Sequence, residues 1–409
     1  MNAAELPRDV LRDAIALYVD LHAHPELSGA EVRTAGVLAA RLEQDGCTVT
    51  RRVGGHGVVG VFRNGPGPTV MVRAELDALP VRERTGLKYA STVPGVMHAC
   101  GHDLHTAAAA GAVSLLAASR DSWRGTLVLV GQPAEETLSG ARAMLDDGLY
   151  DRFGTPDAVL AQHCAPLPAG SVAHGRGPLM SAGVTLDVVV HGRGGHAGTP
   201  HLAVDPVVTA AAVVMRLQTV VSRESAPGER VVLTVGSLHA GDRANVIPSE
   251  ARLSVSVRAF TDAALTRVTE AVRRVVRAEC AASGCDREPE ITVAAASPML
   301  EAHPETARRV RRAHQDAFGT HRVTGWPGST ATEDFPHYAA GGVPVAYWML
   351  GATGARQWRA ARAGGEPVPA NHTDTFAPDV RTALPAGVTA MATAARSLLG
   401  APGHRAAAP

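Results

Sequence analysis

Apolar residues along the chain recur at two spacings, and the spacings take turns. A three-to-four step predicts helices over residues 8–21 and 30–45, the second stopped by Gly46. Short apolar runs predict buried strands at 69–75 (TVMVRAE), 125–130 (GTLVLV) and 158–162 (AVLAQ). Between them lie an Ala-rich helix at 104–119 and another at 138–147 that ends at Gly148. From residue 183 the order changes: strand 183–191, helix 204–222, strands 230–239 and 250–259, helix 262–282 and strand 290–296. In 250–259, Leu253, Val255 and Val257 share one face, and Arg252, Ser254, Ser256 and Arg258 the other. A helix at 304–317, a strand at 343–350 and a helix at 384–399 follow.

Alternating helices and strands predict an α/β protein. The stretch from 183 reads β-α-β-β-α-β, the order of a ferredoxin-like unit. The expectation is one α/β domain, residues 1–181 and 297–409, interrupted by an inserted α+β domain at 182–296. The tail APGHRAAAP is expected to fray.

Composition narrows the function. Lys+Arg and Asp+Glu both number 39, so there is no basic footprint for nucleic acid. No apolar run reaches the ~18 residues of a membrane span, and the start MNAAELPRDVL lacks the pattern of a signal peptide. Five cysteines without framework spacing suit a reducing cytoplasm. Cys47, Cys164, Cys280 and Cys285 read as ordinary reduced thiols.

Four clusters gather metal-ligand chemistry. In MHACGHDLHTA (97–107), Cys100 and His102 stand two apart, with Asp103 and His105 in reserve. A buried cysteine beside surface histidines reads equally well. QPAEE (132–136) places Glu135 and Glu136 after a strand, where adjacent carboxylates point apart: one for metal, one for a proton. A solvated pair opening a helix is the alternative. QHCAP (162–166) offers His163, with Cys164 pointing elsewhere, and NHTDTFAPD (371–379) offers His372 ahead of the last helix. Several follow strand ends, where α/β sites form. Together they supply donors for a two-metal hydrolytic site.

These segments, with LHAHPELSGAE (21–31), RAELDALPV (73–81), GRGGHAGTPH (192–201), NVIP (245–248) and ATEDF (331–335), run in order along nearly the whole chain. The sequence resembles the M20 family of metallo-aminohydrolases, and within it the hippurate hydrolases and indole-acetyl-amino-acid hydrolases. The resemblance implies a mixed-sheet catalytic domain of zinc-exopeptidase type with an inserted lid and dimerisation domain. It implies Cys100, His102, Glu136, His163 and His372 as ligands of two divalent metal ions, with Glu135 as general base and Asp77 in support. Thiolate and imidazole donors suit Zn, Mn, Co or Ni. It further implies that His196 stabilises the oxyanion in the partner subunit's site, and that Asn245 and Arg258 hold the substrate carboxylate.

The implied reaction is hydrolysis of an N-acyl amino acid to a carboxylic acid and a free amino acid, by a cytoplasmic homodimer. A dipeptidase or an N-acetyl-diaminopimelate deacetylase is the alternative within the class, and a non-catalytic binding module on the same fold the alternative outside it. Three departures stand out: Glu75 where the family usually has Asp, TLSG (137–140) where many relatives carry a run of glycine, and Cys164 where a branched apolar residue is common. The second alters the pocket edge beside Glu135.

Overall fold

The computed structural model describes residues 6–401. Most of the tail expected to fray, from residue 402 on, lies outside the described residues. The chain forms two compact units. The first comprises residues up to Gly177, Glu301–Pro327 and the chain from Asp334 onward; the second comprises Pro178–Leu300 and Gly328–Glu333. Among the described residues, no helix is long and apolar enough to cross a membrane.

The first unit is built on a mixed sheet of eight strands. Their spatial order is Thr48–Val53, Gly57–Asn64, Gly125–Gln132, Thr69–Glu75, Ala158–Pro168, Val345–Thr353, Val172–His174 and Val323–Gly325. The central strands Gly125–Gln132, Thr69–Glu75, Ala158–Pro168 and Val345–Thr353 run parallel to their neighbours in that group. Parallel strands are covered on both faces, which is why they read as continuous apolar runs. Helices Arg8–Ala23, His102–Ala118 and Val380–Leu398 belong to the same apolar core. The last helix begins four residues before the expected 384, and Pro385 lies inside it. The proline reads as a start because it lacks an N–H; here the helix already runs from Val380.

The hairpin Thr48–Val53 and Gly57–Asn64 goes unread in the sequence. Arg51, Arg52 and the glycines at 54, 55, 57 and 60 break its alternation.

In the second unit, Val231–His239, Glu250–Ala259, Ala182–His191 and Glu290–Ser297 form an antiparallel sheet in that order. Helices Pro206–Glu224 and Asp262–Ala282 pack on the face that carries Leu253, Val255 and Val257. The β-α-β-β-α-β order is the one the periodicity predicts. The unit's limits at Pro178 and Leu300 lie a few residues outside 182 and 296, and it also takes Gly328–Glu333.

Candidate active site

Each candidate ligand in the first unit is delivered by a different local device. Gly101 has φ +84°, the left-handed conformation that glycine adopts without steric cost, and caps the helix His102–Ala118. A side chain there would meet Cys164 Sγ at 3.0 Å. The turn therefore sets Cys100 in the loop and His102 at the first helical residue, two positions earlier than the sequence pattern predicts. His163 lies within strand Ala158–Pro168, not after its end, opposite Met349 of the parallel neighbour. Strand alternation sends Cys164 to the other face, where it is fully buried in the apolar core. His372 has φ +69°, and its backbone N–H donates to the Ala99 carbonyl at 2.8 Å.

These devices bring the donors together. Cys100 Sγ is 3.3 Å from His163 Nε2 and 3.3 Å from His372 Nε2. Glu136 Oε1 is 3.4 Å from His372 Nε2 and 3.8 Å from His102 Nε2. Glu135 Oε2 lies 3.8 Å from the same His102 nitrogen. His102 donates Nδ1–H to the Asp77 carbonyl at 2.9 Å, with the Asp77 carboxylate 3.2 Å away, so Nε2 is left for the site. His163 donates Nδ1–H to the Cys164 carbonyl at 2.8 Å, with the same result.

The donor set fits a divalent cation. Among the described residues, His102 Nε2 and Glu136 Oε1 are buried with no hydrogen-bond partner, a costly state unless an ion fills it. Burial, then the Glu136 and Glu135 carboxylates, push the Cys100 thiol well above its ordinary pKa. Burial works against a charged His102, but Asp77, Glu75 and Glu136 outweigh it and raise the ring to about 10. The polypeptide alone thus gathers excess negative charge, which a metal ion offsets while displacing protons.

Glu75, His105, His102 and His163 also converge. His105, however, donates Nδ1–H to Glu75 at 2.9 Å and accepts the Cys164 N–H on Nε2 at 2.7 Å. Both its nitrogens are committed, so it is a strut and not a ligand. Asp103 is likewise taken: it accepts from His22 Nδ1 at 2.6 Å and caps Leu104 N at 2.9 Å.

Beyond Asp77, sequence reasoning misses the supports behind these donors. Arg73, fully buried, binds Glu75 on one side and Asp334 on the other, the latter at 2.8 Å. It also donates to Gln132 Oε1 at 2.8 Å, and Gln132 donates to both Asp334 oxygens at 2.9 and 2.8 Å. Asp77 accepts from Ser28 at 2.7 Å and from the Glu136 N–H at 2.9 Å. Glu31 Oε1 accepts the Ala134 N–H at 2.8 Å. Asn371 Nδ2 donates to the Cys100 and Cys164 carbonyls at 3.2 Å each. The motifs RAELD, QPAEE, ATEDF and NHTD contain most of these residues, but a motif does not reveal partners roughly fifty to two hundred and seventy positions away.

The turn that carries Glu135 and Glu136 is strained at both ends: Ala134 has φ +52° and Leu138 φ +55°. Left-handed backbone costs a non-glycine residue ~1–2 kcal/mol. Leu138 falls in the TLSG departure. Ala134→Gly removes that cost and adds back ~0.5–1 kcal/mol of unfolded-state freedom. The expected gain is about 0.5–1 kcal/mol, read as a raised thermal midpoint of the metal-loaded protein. A lower midpoint would show that the turn is relaxed.

His196, Asn245 and Arg258 belong to the second unit. His196 sits on a two-residue strand opposite Val246, is exposed, and accepts the Gly198 N–H on Nδ1 at 3.0 Å. Its ring hydrogen is therefore on Nε2. The Asn245 carbonyl accepts the Ala197 N–H at 3.2 Å. Arg258 donates to the Thr330 carbonyl at 3.0 Å, and burial lowers its pKa.

Comparison with known proteins agrees with this chemistry. N-acetylcysteine deacetylase of Bacillus subtilis (strain 168) is 34% identical over 347 residues, 83% of this chain and 88% of that protein. IAA-amino acid hydrolase ILR1-like 2 of Arabidopsis thaliana is 32% identical over 334 residues, 81% of this chain and 75% of that one. The crystal structure of Bacillus subtilis YxeP, described as a dinuclear metal-binding peptidase of family M20, superposes with a TM-score of 0.74 at 28% identity. It covers 96% of this chain and 99% of that one. A family model for peptidase family M20/M25/M40 matches residues 71–369. A hydrolase of the kind its donors describe, the protein is a member of peptidase family M20/M25/M40.

Proposed function

We propose that the enzyme hydrolyses the amide bond of N-acyl amino acids, releasing a carboxylic acid and a free amino acid. The observation that carries this reading is the convergence of Cys100, His102, Glu136, His163 and His372 with the Glu135 carboxylate beside them. These five side chains would hold two divalent ions, and one thiolate with three imidazoles favours Zn, Mn, Co or Ni over Mg or Ca. Bound there, the ions supply Lewis acidity, which lowers the pKa of water and polarises a carbonyl. Glu135 takes the proton of the attacking water as oxygen bonds to the acyl carbon, and hands it to the amine nitrogen as the C–N bond breaks. Asp77 is a positioning residue: it fixes the His102 ring and the Glu136 backbone together. Asn245 and Arg258 would receive the substrate carboxylate, and His196 would donate Nε2–H to the carbonyl oxygen. In this reading the second unit is a lid and the dimer contact, and His196 serves the other subunit of a cytoplasmic homodimer.

The test is elemental analysis of the purified protein together with a panel of hippurate, N-acetyl, long-chain acyl and dipeptide substrates, N-acetyl-diaminopimelate included. Metal near two equivalents and turnover of N-acyl amino acids are expected. Metal-loaded protein that cleaves only dipeptides, or nothing, would overturn the proposal. Asp77→Asn is expected to weaken metal affinity ~10–100-fold, measured by competition with a chromophoric chelator. Unchanged affinity would remove Asp77 from its role.

A further inference from the structure

The helix Asp262–Ala282 of the second unit ends in a device that the hydrolytic site does not use. The Gly284 N–H donates to the Ala281 carbonyl at 3.1 Å, and the Cys285 N–H reaches back to the Cys280 carbonyl at 3.0 Å. Gly284 between them has φ +72°. This pair of bonds around a left-handed glycine is the Schellman closure, which presses together the side chains of the two residues joined by its longer bond. Here both are cysteine. Cys280 is 2% exposed within the unit's apolar core, and Cys285 is half-buried against the same cluster. Burial, then the Cys285 sulfur, hold the Cys280 thiol above its ordinary pKa. A whole-chain count of cysteines hides the pair, because five positions apart looks like no framework until the helix end folds back.

We propose that Cys280 and Cys285 are a redox-active dithiol that closes to a disulfide by exchange with small disulfides of the glutathione class, stapling the end of this helix. Cys285, the more accessible, gives up its proton to solvent and attacks one sulfur of glutathione disulfide. That S–S bond breaks, and one glutathione leaves as a thiolate and takes up a proton. Cys280 then loses its proton and attacks the Cys285 sulfur of the mixed disulfide, expelling the second glutathione, which is protonated in turn. Two protein thiols are oxidised and one glutathione disulfide is reduced to two thiols.

Trypsin cuts after Arg277 and Arg287, so both cysteines fall in one peptide, Ala278–Arg287. Metal-loaded enzyme is equilibrated at graded ratios of oxidised to reduced glutathione, quenched in acid, alkylated in denaturant, digested and weighed. The expected product is the unalkylated peptide two hydrogens lighter than the dithiol, reversed by dithiothreitol. It is expected to form at a ratio at least about tenfold lower in the folded enzyme than in the same chain in urea, because the closure pre-pairs the sulfurs. Cys280→Ser is expected to stop at a glutathione adduct on Cys285. A fully alkylated peptide at every ratio, a lasting glutathione adduct in the unsubstituted enzyme, or equal ratios with and without urea would each overturn the proposal.

Discussion

A Glu135→Gln enzyme is expected to keep its metal and its substrate affinity and to lose ~10²–10⁴-fold in kcat. Glutamine has the same size and reach, so the packing of a side chain that is 6% exposed is preserved. What it loses is the capacity to accept a proton 3.8 Å from His102 Nε2. The neighbouring Glu136 does not substitute, because its Oε1 lies against His102 and His372 on the donor side. Elemental analysis and kcat measured on the same preparation decide the matter. Activity within tenfold of the parent would move the proton transfer to another group, and loss of metal would make Glu135 a ligand.

The second large effect is on stability. Arg73→Met is expected to destabilise the first unit by about 3–5 kcal/mol, the usual result of removing one partner from a buried ion network. The guanidinium holds Glu75 and Asp334 together in the interior, all three fully buried. Arg73 and neighbouring His105 hold Glu75 well below the usual carboxylate range despite its burial. With the cation gone, two buried carboxylates lose the counter-charge they share. Asp334 also accepts the Ala141 N–H at 2.9 Å beyond the turn that carries Glu135 and Glu136, so the loss is expected to reach the proposed donors Glu136 and His102. Denaturant unfolding of the variant measures this; a loss below about 1 kcal/mol would show that water enters and solvates the carboxylates.

The periodic parts of the chain were readable in proportion to how local their causes are. Helix Asp262–Ala282 sits where its apolar three-to-four step places it, because that face alone packs on the sheet. Strand Ala158–Pro168 runs six residues past its apolar stretch, since its later pairing comes from Val345–Thr353, distant in sequence. The ligand-type residues were legible because sulfur, imidazole and carboxylate side chains are rare at such density. Their supports were not: Arg73, Gln132 and Asp334 are ordinary polar residues until a sheet brings them together. His105 shows the converse, a residue of ligand type whose two nitrogens are consumed by structure.

The interleaving of the units has a consequence for how the chain is made. Strand Ala158–Pro168 waits for Val345–Thr353 as its neighbour, and His372 follows later still. At the usual ~5–20 residues per second of synthesis, that strand's edge stays unpaired for roughly 10–35 s. The sheet from Ala182 to Ser297 is contiguous and complete about 50 residues before that neighbour begins. A nascent chain on the ribosome thus carries the finished sheet of the inserted unit while that apolar edge is still open, the exposure that invites aggregation. The proposed donor set is complete only once His372 is made, because Cys100 meets it when all but the final helix has been translated.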